Sequence, residues 1–111
     1  MPDMDLVIAG GTVVTAQGRS RTNIAVREGR IDYVGPDRPS AQQTVDAAGL
    51  LVLPGGVDTH VHLMDPGSTD REDFPTGTSA AAASGVTTII EHSHGQPVKS
   101  VDDLLAKREY L

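Results

Sequence analysis

His60 and His62 stand two residues apart, with Asp58 two before them, inside the run Leu53-Pro54-Gly55-Gly56-Val57-Asp58-Thr59-His60-Val61-His62-Leu63. The spacing predicts a short buried strand over Gly56 to Leu63. Side chains alternate faces along a strand, so Asp58, His60 and His62 share one face while Thr59, Val61 and Leu63 share the other. Two imidazoles so placed can reach one metal ion, each nitrogen lying ~2.0–2.1 Å from zinc. The same spacing suits a polar pair on a solvent-facing strand, and spacing alone does not choose between them. Leu50 to Leu53 on one side and an apolar strand–helix pattern on the other favour a buried strand, whose imidazoles would need partners.

Val86 to Glu91 reads as a second buried strand, with Glu91-His92-Ser93-His94 at its C-terminal end. Each histidine pair thus falls toward the C-terminal end of its strand. Between them, Met64 to Asp70 is a loop of turn formers and Thr76 to Ser84 an Ala-rich helix. Asp73 is the expected N-cap, with Pro75 in the first turn, Phe74 as inward anchor and Gly85 as the C-terminal glycine. A capping box from Thr69 to Glu72 competes, but it would leave Pro75 too deep in the helix. Ser100 opens another helix, with Asp103 at the capping-box position and Val101, Leu104, Leu105 and Leu111 on its apolar face. That helix stops at Leu111 with no glycine, proline or polar cap, an ending that reads as a cut.

Before Pro54 the pattern is all-β. Leu6 to Ile8 and Val13 to Thr15 read as short strands around a turn at Ala9-Gly10-Gly11. Asn23 to Arg27 and Arg30 to Val34 form an expected hairpin about Glu28-Gly29. Asp37 to Gln43 reads as a surface loop, and Thr44 to Asp46 with Leu51 to Leu53 as a further strand pair. Pro54-Gly55-Gly56 marks the change to alternating strand and helix, which implies a parallel sheet or barrel.

The chain has 111 residues, the size of one domain, and a net charge of −6, which disfavours nucleic acid or an anionic membrane as partner. It has no cysteine, hence neither disulfides nor a thiolate site. Its opening stretch carries acid where a signal peptide carries base, and no run approaches the ~18 apolar residues of a membrane span. The default expectation is a cytoplasmic protein.

Three stretches together resemble the N-terminal part of a cyclic amidohydrolase, the group of dihydropyrimidinase/hydantoinase, allantoinase and dihydroorotase. They are PGGVDTHVHL at Pro54 to Leu63, EDFPTGTSAAAASGVTTII at Glu72 to Ile90, and the opening strands. The likeness extends over essentially the whole chain, and PG-x-x-D-x-H-x-H is far more specific than a bare H-x-H. The resemblance implies an α/β fold. Residues 1–53 would be half of a small β-sandwich, and residues 54–111 the first two units of a TIM-type (β/α)8 barrel, which takes ~250 residues when complete.

In that family the first-strand pair, here His60 and His62, binds one of two divalent metals, usually zinc. A carboxylated lysine, two histidines and an aspartate follow on later strands. None of those later positions is present, so no catalytic residue is assigned within this chain. The implied chemistry is hydrolysis of a cyclic amide, a bridging hydroxide attacking the ring carbonyl while the late aspartate serves the leaving nitrogen. Asp58 lies deeper in the strand, where supporting the ligands or lining the barrel floor is favoured over direct ligation.

Met64, Asp65 and His94 are the substrate-facing candidates. Met64 stands where dihydroorotases carry an arginine, and His92-Ser93-His94 replaces their usual Met-Pro-Asn. Both departures favour a hydantoin, dihydropyrimidine or allantoin ring over dihydroorotate. His94 aligns with a substrate-contacting asparagine, although His92 and His94 could equally be loop histidines at the barrel mouth. A complete enzyme of this kind would be a homo-oligomer, dimer or tetramer, whereas the 111 residues alone would be inactive. The competing readings are a non-catalytic dihydropyrimidinase-like scaffold and an inactive truncated product.

Overall fold

The computed structural model describes residues 4–111. Met1 to Asp3 of the acidic opening stretch lie outside that range. The chain divides after Pro54, the second unit being Gly55–Leu111.

The first unit is a five-stranded mixed sheet. Strand β1 (Met4–Thr15) is central, flanked by β2 (Gly18–Arg27) and then β3 (Arg30–Gly35) on one edge. On its other edge β4 (Ala41–Asp46) and β5 (Leu51–Val52) lie end to end, both parallel to it. Val7, Ala9, Gly11 and Val13 are buried along β1, the alternation a half-buried strand requires. Met4, Val7, Ala9 and Ala25 form the core, with Tyr33 and Ala41 packed against them. The Glu28-Gly29 hairpin is as expected, with φ of 51° and 71°, the paired left-handed conformation of a two-residue turn.

Three expectations need correction here. The two short strands about Ala9-Gly10-Gly11 are one continuous strand, because the glycines make a bulge rather than a turn. Ile8 pairs Ile24 and Gly11 pairs Thr22, so Ala9 and Gly10 together oppose Asn23. Gly10 takes φ +73°, and its N–H donates to Asn23 Oδ1 at 2.8 Å. Second, β4 and β5 do not pair with each other. The break between them, bridged by Leu50 N–H to Ala47 O at 2.9 Å, falls beside the β1 bulge. Third, Ala41 to Gln43 belong to β4 rather than to a loop.

The second unit holds two parallel strands, β6 (Gly56–Val61) and β7 (Val86–Glu91), joined through α1 (Phe74–Ala83), and then α2 (Val101–Tyr110). Asp73 caps α1, its carboxylate accepting from Thr76 N at 2.9 Å, and Pro75 sits in the first turn. Ser100 caps α2, accepting from Asp103 N at 3.1 Å. Leu63 is buried against α1 at Gly77, where an added Cβ would lie only 2.5 Å from Leu63 Cδ2.

Strand β6 ends at Val61, so His62 and Leu63 lie just beyond it rather than within it. It is also more open than a buried strand, Val57 being 59% exposed, because a two-stranded sheet leaves faces that one helix does not cover. The apolar side chains of α2, including Val101, Leu104 and Leu105, are likewise exposed, as is Leu111 just after it. Among the described residues, no helix is long and apolar enough to cross a membrane.

Candidate metal centre

The parallel register of β6 and β7 brings their C-terminal ends side by side. His92 N–H donates to Val61 O at 2.8 Å, carrying the ladder one step past the strands. All four histidines gather there. The rings of His60 and His62 meet edge to face with centroids 5.0 Å apart, and His60 stacks on His92 at 4.3 Å. His94 lies 5.0 Å from His62.

His62 Nδ1 sits 2.5 Å from the main-chain oxygen of His92. A carbonyl only accepts, so Nδ1 carries a proton, and in a neutral imidazole so bound Nε2 has the free lone pair. Metal-bound imidazoles characteristically show this arrangement, one nitrogen donating to a carbonyl while the other ligates. His92 Nε2 is held 3.2 Å from Thr59 O, which directs that ring at the strand and not at the space between His60 and His62. Two imidazoles on one tetrahedral zinc would place their ring centres roughly 5 Å apart. The observed 5.0 Å matches that separation. Among the described residues, no group of three or more His, Cys, Asp or Glu is arranged to hold a metal ion. What the described residues bring together here is a pair of histidines, His60 and His62, short of a complete ligand set.

Asp58 does not share the histidines' surroundings. The β6–β7 register slips between Asp58 and Val61, breaking the strict alternation. Its carboxylate accepts from His60 N at 3.1 Å, and Asp58 lines a separate hollow of about 270 Å³ with Val61, Leu63 and Gly77. Asp65 is buried at 7% exposure, and protein donors occupy both oxygens: Phe74 N–H at 3.1 Å and Tyr110 O–H at 2.7 Å. Donating to that carboxylate holds the Tyr110 phenol above its ordinary pKa. Asp65 is thus tied into the protein through both of its oxygens. Met64 has φ +57°, uncommon for a long side chain, which turns the chain sharply after His62.

One part of the site was not foreseen. Lys107, from α2, reaches Glu91 Oε2 at 2.5 Å, and both side chains are nearly buried, at 12% and 11% exposure. Lys107 also donates to Ser93 Oγ, Ser93 donates to Glu91 at 3.2 Å, and the ammonium lies 5.6 Å from the centre of the Phe74 ring. Together with His62, His92 and Leu104 these residues line a cavity of about 830 Å³. A signal was present in the sequence. Lys107 falls three residues after Leu104 and four before Leu111, on the apolar face of its helix, where a lysine needs a partner.

Comparison with known proteins supplies the context for this cluster. The model of the amidohydrolase family matches residues 51–109. An allantoinase of Escherichia coli O1:K1 / APEC is 43% identical over 98 residues, spanning 88% of this chain and 22% of that protein. The L-hydantoinase (dihydropyrimidinase) from Arthrobacter aurescens superposes with a TM-score of 0.85 at 30% identity, over 96% of this chain and 24% of its own. The N-acyl-D-glutamate deacylase from Bordetella bronchiseptica, complexed with zinc and a phosphonate inhibitor, gives 0.61 at 31% identity, over 78% of this chain and 18% of its own. The chain thus spans about a fifth of the length of the curated relatives it matches. With a family match over more than half its length, and the expected α/β opening segment reproduced in solved hydantoinase structures, the chain belongs to the amidohydrolase family.

Proposed function

We propose that His60 and His62 are two ligands of a divalent metal, zinc by first choice, in a hydrolase that opens cyclic amides of the allantoin, hydantoin or dihydropyrimidine type. The observation that carries this reading is the 5.0 Å histidine pair at a strand end, with His62 Nδ1 committed to a carbonyl and Nε2 free. The zinc complex of the similar deacylase and the ring substrates in the relatives' names support it. Residues 1–53 would belong to a β-sandwich, and residues 54–111 would open the barrel whose later strands complete the site.

A divalent ion bound there would lower the pKa of water and polarise an amide carbonyl. The chain's own residues divide the remaining work. His60 and His62 hold the ion, and the His92 carbonyl orients the second of them. His94, 5.0 Å from His62, is placed to hydrogen-bond a ring substituent, and Met64 offers an apolar contact where a carboxylate-gripping arginine would otherwise stand. Asp58 braces the His60 backbone, and Asp65 anchors the loop that follows.

Equilibrium dialysis against zinc tests the ligand assignment. The chain should retain zinc, and His60→Ala and His62→Ala should each abolish retention, whereas His94→Ala should leave it. Equal retention by all four proteins would sink the assignment and favour a scaffold. With only two ligands present, the 111 residues alone should open none of these rings. Metal-dependent turnover by them would show that the site is complete without later strands.

A further inference from the structure

His92 lies between two residues tied to one ammonium. Lys107 binds Glu91 on one side of it and Ser93 on the other, and Ser93 closes the triangle by donating to Glu91. His92 in turn touches both members of the metal-ligand pair. Its carbonyl takes the His62 Nδ1 proton at 2.5 Å, its ring stacks on His60 at 4.3 Å, and its own Nε2 is pinned to Thr59 O at 3.2 Å.

We infer that Lys107 is a positioning residue for the metal centre. By clamping Glu91 and Ser93 it aims the His92 carbonyl at His62, fixing the tautomer that leaves Nε2 free. The inference rests on the reading of His60 and His62 as ligands. The clamp comes from a different element, α2, whose Lys107 lies 16 residues beyond Glu91 at the strand end, so the second helix is part of the site. Near-burial makes the clamp stiff. Few waters can compete for an ammonium and a carboxylate that are both almost covered, and charge-assisted bonds in such a setting are short and strongly directional. An imidazole chooses its tautomer by the bond its other nitrogen makes, so a carbonyl held in place decides which nitrogen faces a metal.

The test uses the full chain, metal-free and labelled with ¹⁵N-histidine, above about pH 8 where a free imidazole is neutral. Long-range ¹H–¹⁵N correlation reads which ring nitrogen carries the proton, a signature that loss of stability alone does not shift in the folded state. In the wild type, His62 should be protonated on Nδ1. Glu91→Gln/Lys107→Met, which removes both charges together, should move that proton toward Nε2 and lower zinc affinity about 10- to 100-fold. Lys107→Arg, which keeps the charge and can still reach both partners, should preserve the wild-type tautomer. Ser93→Ala removes no charge and keeps the test decisive if the charge variants do not fold; it should loosen the same proton.

A His62 tautomer and zinc affinity indifferent to these changes would overturn the inference. Zinc binding that is intact in the wild type, with a tautomer that ignores Lys107, would do so while leaving the metal reading in place. A wild-type chain that binds no zinc, yet whose tautomer follows Lys107, would remove the metal reading and uphold the clamp.

Discussion

At the scale of single residues, the carboxylates at the helix starts are committed to nearby hydroxyl and amide donors, and this sets a pH dependence. Asp73 is held below its ordinary pKa of 3.8 first by the Thr76 hydroxyl and then by the Thr76 amide. Asp103 is lowered by the Lys99 amide and then by Ser100. A carboxylate whose pKa is depressed on folding contributes stability that is full above its unfolded value and is lost as pH falls through the lower folded value. Thermal unfolding should therefore be insensitive to these caps near neutrality and weaken only below 3.8. Asp73→Asn should flatten part of that acid limb while keeping the melting temperature at neutral pH, since asparagine caps as well as aspartate. An acid limb unchanged by Asp73→Asn would show that the cap is not what titrates. The closeness of His60 and His62 was legible from their spacing because both come from one short segment. Lys107 was not read as a site residue, since its partner lies on another element 16 residues away. The Tyr110 hydrogen bond to Asp65 was hidden for the same reason, as it spans 45 residues.

At the scale of elements, local signals carried far and long-range pairing did not. The Glu28-Gly29 turn, the Asp73 and Ser100 caps and the strand Val86–Glu91 all follow from neighbouring residues. The placement of β4 and β5 against β1 depends on a partner more than thirty residues earlier and on a bulge that looks like a turn in sequence. Gly77 shows how an element-level contact overrides propensity. Alanine is the better helix former by about 1 kcal/mol. At Gly77, however, a Cβ would lie 2.5 Å from Leu63 Cδ2 and 3.1 Å from the Glu72 carboxyl carbon. Gly77→Ala is therefore expected to destabilise by about 1–3 kcal/mol, the range for overpacking, in denaturant unfolding. A stabilised Gly77→Ala would mean that α1 does not lie this close to the strand end. Because Leu63 follows His62 directly, a shift of α1 would also disturb the histidine pair.

At the scale of the whole molecule, the exposed apolar residues decide how the chain behaves in solution. Leu53, Val57, Leu104 and Leu111 are each more than half exposed. A two-stranded parallel sheet also offers unpaired edges. Exposed apolar side chains and open strand edges favour association, so the chain should sediment as more than a monomer at micromolar concentration and bind a hydrophobic dye. A monodisperse monomer that binds no dye would contradict this. The same exposure explains why the sequence overstated burial: the apolar patterns of β6 and α2 are those of elements covered on more sides than these residues cover.

The central claim, that His60 and His62 ligate one metal, is tested most directly by X-ray absorption at the zinc edge of the zinc-loaded chain. Two imidazole nitrogens at about 2.0–2.1 Å are predicted, falling to one in His60→Ala and in His62→Ala. A zinc shell without histidine, or one that neither substitution changes, would contradict the account.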